Sequence, residues 1–177
     1  MTVEMEAMMS TSERAREIEE AFAGRPYPGD GEIALRRPAC PGYEGEEVWE
    51  RFQGRDWREI LRTGQARELD LSSSMAFLTL QGFVYYLPAF LTLALDVDGP
   101  FEIGESLVFK LWSFPEEVAA LLAPAEKRAV VHVLEFLARV YDERNYLRNN
   151  ARVALDHYWA YFTDEELGLN RHDIQKK

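Results

Sequence analysis

Between Asp70 and Asp96 the chain runs for twenty-five residues, Leu71 to Leu95, without a single charge, in a 177-residue sequence whose formal net charge is −11. A stretch this long and apolar has to leave water, either for lipid or for the middle of a folded domain. Its flanks favour the domain. A spanning helix places Lys or Arg beside one end and aromatic rings near both interfaces. Here Glu68 and Asp70 stand before the run and Asp96 and Asp98 after it. Tyr85 and Tyr86 fall in its middle, where a bilayer would leave their hydroxyls without partners. The expectation is a buried helix and no membrane partner.

Ser72, Ser73 and Ser74 divide the run. Leu71–Leu78 reads as an extended segment or short helix, and Thr79 as the N-cap of a helix over 80–95, because its hydroxyl can accept from a free amide of the first turn. That helix is apolar nearly all round, the mark of an element packed on several sides. Pro88 lies inside it, removes one N–H and predicts a kink or break.

Around it the pattern is helical. Ser10 with Glu13 spells a capping box before a helix to Ala23, with Ala15, Ile18 and Phe22 as its buried stripe. Gly24 to Gly45 is rich in Pro and Gly, an irregular segment with a short strand at Ile33–Leu35. Short helices follow around Val48–Phe52 and Trp57–Leu61, the second stopped by Gly64. After a turn at Asp96–Pro100, a short helix is expected at Glu105–Trp112. Ser113 and Glu116 then form a second capping box. Pro124 opens a long helix whose stripe is Val130, Val133, Leu134, Leu137, Val140 and Tyr141. A last helix starts near Asn150 and turns Ala151, Leu155, Tyr158, Trp159 and Phe162 inwards, and Thr163 with Glu166 caps a final turn. The fold class is therefore all-α: one helical domain over 11–168 around the central helix, a flexible N-terminus at 1–10 and a polar tail at 169–177. A chain of this size buries enough surface to fold without disulfides or metal. The one cysteine, Cys40, cannot form an internal disulfide, which fits a reducing cytoplasm.

Catalytic and cofactor chemistry is hard to find. The residues three before His132, His157 and His172 are Ala129, Ala154 and Leu169, so the Glu-x-x-His pair of a helical di-iron site is missing. His132 reads as a solvated histidine opposite its helix's apolar stripe, and His157 as one at the edge of the core. Gly29-Asp-Gly-Glu-Ile-Ala34 matches the dinucleotide fingerprint in letters but lacks its strand and helix. Asp96-x-Asp98-Gly99 opens like a calcium loop, with the glycine too early and the later ligands absent. No cofactor and no metal site is expected. Tyr85, Tyr86, Trp112, Tyr158 and Trp159 are aromatics that could line a small-ligand pocket, centred on Tyr85, Tyr86 and Trp159, although aromatics at helical spacing more often form core.

The charge is more informative. Residues 96–126 hold seven acids (Asp96, Asp98, Glu102, Glu105, Glu116, Glu117 and Glu126) against one base, Lys110. Such a field disfavours nucleic acid and anionic lipid and suits a basic protein partner. Asp96, Asp98, Glu102, Glu105, Glu116 and Glu117 are its candidate contact residues.

The stretch Phe77-Leu-Thr-Leu-Gln-Gly-Phe-Val-Tyr-Tyr-Leu-Pro-Ala-Phe-Leu91 resembles the signature of a bacterial family of small, mostly helical proteins catalogued as a domain of unknown function. Matching pieces are Ile18-Glu-Glu-Ala-Phe-Ala-Gly24, Trp57, Leu122-Ala-Pro-Ala-Glu-Lys-Arg128 and Ala154-Leu-Asp-His-Tyr-Trp159. The family carries Thr-Pro-Glu where this chain has Thr79-Leu-Gln, and Leu-Thr-Pro where it has Leu122-Ala-Pro. Both departures fall on helix caps. The resemblance implies a soluble helical domain and no particular activity. The functional expectation is a non-catalytic, acidic protein-binding domain, by analogy with immunity or antitoxin proteins that cover a basic partner. The alternatives are a small-ligand-binding protein or enzyme, and a structural scaffold.

Overall fold

The computed structural model describes residues 9–37, 39–40, 42–141 and 145–169. The expected flexible start before Met9, the tail beyond Leu169 and His172 lie outside them. Among the described residues the fold is all-α. Its helices are α1 (Thr11–Phe22), α2 (Glu44–Phe52), α3 (Trp57–Gln65), α4 (Leu71–Ser74), α5 (Leu80–Ala94), α6 (Phe101–Ser113), α7 (Pro115–Ala120), α8 (Pro124–Val140) and α9 (Tyr146–His157), with 3₁₀ turns at Asp30–Glu32 and Trp159–Tyr161.

The uncharged run becomes α4 and α5. Asp70 caps α4 by accepting from the Ser73 amide at 3.1 Å. Thr79 caps α5 by accepting from the Gly82 amide at 3.0 Å. From Gly82 to Leu91 every residue of α5 is buried, because α1, α3, α6 and α8 pack around it. Each large side chain so enclosed contributes roughly 1.5–3 kcal/mol. That burial decides the Pro88 question. The helix continues through Pro88 without a break. A helix-interior proline costs about 3 kcal/mol, less than the packing of Leu87, Phe90 and Leu91 around it contributes. No helix among the described residues is long and apolar enough to cross a membrane.

The irregular segment docks on the start of α5. Ala34 and Leu78 form an antiparallel bridge. The Leu35 amide donates to the Phe77 carbonyl at 2.7 Å, and the Thr79 amide to the Ile33 carbonyl at 3.0 Å. The expected strand at Ile33–Leu35 is thus reduced to one bridge. Tyr27 and Tyr86 pin the same region. The Tyr27 hydroxyl donates to Asp30 Oδ1 at 2.6 Å and accepts from the Gly54 amide at 2.7 Å. Burial and the neighbouring Asp30 push it up to about 12. The Tyr86 hydroxyl lies 2.5 Å from the Phe52 carbonyl and 3.0 Å from that of Arg55, which ties the α2–α3 turn to the core.

Several sequence expectations are corrected. Gly64 does not stop α3 but lies within it, against Leu71 and Leu93, and a Cβ there would meet their methyls at 2.6 and 2.7 Å. The left-handed residue after α3 is Arg67, with φ 56°. Helix α6 starts at Phe101, four residues before the expected Glu105. Ser113 ends α6 instead of capping α7. Pro115 takes the first position of α7 and leaves Phe114, which has no capping oxygen, at the N-cap. Val140 is exposed rather than part of the buried stripe of α8. Helix α9 begins at Tyr146 because Asn145 caps it, accepting from the Leu147 amide at 2.9 Å. It ends at His157, which is exposed, so Trp159 reaches the core from a 3₁₀ turn.

His132 is half-buried, not solvated. Its Nδ1 lies 2.7 Å from Glu17 Oε2, and Arg128 Nε donates to Glu17 Oε1 at 3.0 Å, which joins α1 to α8. Burial alone would raise the Glu17 carboxyl, but the hydrogen bonds and charges of His132 and Arg128 outweigh it and hold it below the ordinary glutamate range. A carboxyl depressed in the folded state stabilises above its unfolded pKa, and that contribution is lost as pH falls through the lower, folded value. Glu17→Gln is therefore expected to cost about 2 kcal/mol near neutral pH. In acid the gap between wild type and variant should close, which thermal melts from pH 7 to pH 3 would show.

Candidate functional site

Helix α6 shows two faces. Ile103, Gly104, Leu107, Val108 and Leu111 are buried at helical spacing. Gly104 allows close approach of α9, since a Cβ there would meet Leu147 at 2.8 Å. The opposite face carries Phe109 at 58% exposure and Trp112 at 49%, with ring centroids 6.4 Å apart, and Phe114 follows at 43%. Leu35 and Tyr146 of neighbouring segments are also exposed, at 50% and 64%. Together with Met75, four of these residues (Leu35, Phe109, Phe114 and Tyr146) line a groove of about 560 Å³ between α4, α6 and α9. Scattered exposed apolar residues need no explanation; a contiguous aromatic group does.

Two charged side chains line this groove, Glu105 and Lys110. Lys110 is half-buried, and its Nζ sits 5.8 Å from the centre of the Phe83 ring and 5.5 Å from that of Phe114. Burial lowers its pKa from the ordinary lysine value. No carboxylate of the described residues is ion-paired with it, although ion pairs occur elsewhere on the molecule.

The six candidate acids do not form one patch. Asp96 and Asp98 lie in the turn before α6, where the Asp98 amide donates to Asp96 Oδ1 at 3.2 Å. Tyr141, raised first by burial, also feels the charges of both. Glu102 is exposed and Glu105 half-exposed on the first half of α6. Glu116 and Glu117 are exposed at the start of α7, where they act with Glu166 on Tyr158, itself raised mainly by burial. Eight residues of α6, Ser106 to Ser113, separate Glu105 from the second group, roughly 12 Å along the axis. The acids therefore bracket the aromatic group. None of the six is ion-paired among the described residues. The seventh acid of the segment, Glu126, is buried against Arg25.

Tyr85, Tyr86 and Trp159 sit in the core, with Tyr86 and Trp159 fully enclosed. Trp159 Nε1 donates to the Leu111 carbonyl at 3.0 Å, and Tyr85 packs edge-on against Tyr27 and Tyr86. None of the three lines the aromatic groove. No group of histidine, cysteine and carboxylate that could hold a metal occurs among the described residues, and Cys40 is free and exposed. Sequence reasoning missed Phe109, Phe114, Tyr146 and Lys110 as neighbours. The available signal was that Phe109 and Trp112 fall off the buried stripe of α6. The expected helix over Glu105–Trp112 already held both, but the neighbours Leu35, Met75 and Tyr146 that complete the groove come from distant segments.

One comparison with known proteins gives a match. The model of a family of unknown function, DUF6714, matches residues 10–163. The chain belongs to that family. The matched span includes α1 to α9, the aromatic groove and both acidic groups. No curated protein and no solved structure matches the chain.

Proposed function

We propose that this DUF6714 protein is a non-catalytic protein-binding domain whose recognition surface is the outer face of α6 with the start of α7. The observation that carries the reading is the exposed Phe109–Trp112–Phe114 group flanked at both ends by unpaired carboxylates. Interfaces that bind proteins concentrate aromatic side chains at the centre and polar groups at the rim. Charges at a rim steer the approach of a complementary partner and confer salt dependence more than affinity. The partner this surface suits is a basic protein that offers an apolar segment between positive flanks, in the manner of a target covered by an immunity or antitoxin protein.

The test is capture from a lysate of the native cells, at low and high salt, with wild type beside two charge-reversed variants. Asp98→Lys with Glu102→Lys reverses one end, and Glu116→Lys with Glu117→Lys the other. A basic protein held by wild type at low salt, released at high salt and weakened about tenfold by either pair is the expected result. A partner held equally by all three proteins at both salts would remove the electrostatic part of the reading.

A further inference from the structure

Lys110 is the one cation among the described residues that line the aromatic groove, and it stands there without a carboxylate partner. Its ammonium has lost part of its hydration to the rings of Phe83 and Phe114. Ring faces attract a cation, but they replace its water incompletely. An anion brought to Lys110 would gain a charge-assisted hydrogen bond in a partly dry setting, where such bonds are strongest. The rest of the groove is apolar on one side, through Leu35, Met75 and Phe109, and its volume of about 560 Å³ falls within the range of small-molecule sites.

Glu105 limits what that anion can be. It lies five residues before Lys110 on α6, roughly 7.5 Å along the axis, and the two are not ion-paired. A second carboxylate on the ligand would share the groove with it and be repelled. We infer that the groove binds an amphipathic monoanion, a single carboxylate held by Lys110 with an apolar tail laid along Leu35, Met75 and Phe109. This site goes beyond the protein-binding reading and shares Phe109 and Phe114 with its surface, but its ligand is a small molecule and its test involves no partner.

The experiment is calorimetric titration of the full chain with three ten-carbon probes below their aggregation limits: decanoate, decanol and decanedioate. The expected result is saturable one-to-one binding of decanoate, about tenfold tighter than of decanol or decanedioate. Lys110→Met keeps the apolar stem and removes the charge, so it should abolish the preference for decanoate over decanol. Lys110→Arg should retain it, and far-ultraviolet circular dichroism would establish that both variants fold. Equal affinity for decanoate and decanol overturns the proposal. So does an undiminished preference in Lys110→Met, or uptake of the probes without saturation. Any of these results leaves the capture experiment as it stands.

Discussion

Glu126→Ala is expected to destabilise the protein by about 3–5 kcal/mol, although it removes an acid from a chain that already has an excess of them. Glu126 is 4% exposed, and both its oxygens bind Arg25, Oε1 receiving Nε at 2.8 Å. Oε2 also accepts the Ala123 amide at 2.7 Å. That contact is half of a capping box, and it compensates for the absence of a side-chain oxygen on Ala123 at the start of α8. Removal of the carboxylate would leave the Arg25 guanidinium enclosed with one remaining hydrogen-bond acceptor, the Leu121 carbonyl at 2.7 Å. It would also uncap the helix. Breaking the exposed pair Arg16–Glu20 by Glu20→Ala should cost no more than about 0.5 kcal/mol, because solvent already screens both partners. Urea melts of the two variants would show the contrast. Similar small losses in both would mean that Arg25 finds water once its partner is gone.

Gly82→Ala should cost about 3 kcal/mol, which lowers the melting temperature by roughly 10 °C for a chain of this size. Helix propensity alone gives the opposite sign, since Ala is favoured over Gly by about 1 kcal/mol inside a helix. Packing decides. A Cβ at Gly82 would lie 2.0 Å from the Ile33 carbonyl oxygen, and that oxygen belongs to backbone held by the Thr79 amide. The Ile33–Leu35 segment would have to move off α5 and give up its bridge to Leu78. Gly24→Ala, where a Cβ meets nothing, serves as the control and should change stability little. A stabilised Gly82→Ala would show that the segment is loosely held.

What the sequence made legible is what a few neighbouring residues determine. Ser10 with Glu13, Thr79 with Gly82, and Thr163 with Glu166 close their hydrogen bonds three residues apart, and all three form. The apolar periodicity of α1 and α8, and the unbroken apolarity of α5, likewise report burial from within one element. The failures involve distant partners. The contacts that make Gly64 a packing residue come from Leu71 and Leu93, and the carboxylate that draws His132 inwards belongs to Glu17, 115 residues away. Ser113 failed for a local reason: the proline two residues on fixed the start of α7 one position later than the capping pattern implied. The acidity of 96–126 was readable, but its division into two groups on either side of an aromatic centre follows from the length of α6, which composition does not contain.

Trp112→Ala is the measurement that bears most directly on the protein-binding role. Trp112 is half exposed at the centre of the proposed surface, and its ring meets Phe109 edge to face. A residue kept there for recognition contributes little to the fold, because much of its surface is already in water. The variant should melt within a few degrees of wild type while its hold on the captured basic partner falls at least about tenfold, as truncation of a central interface aromatic does. Undiminished binding of that partner by a folded Trp112→Ala protein would contradict the assignment of α6 as the recognition surface.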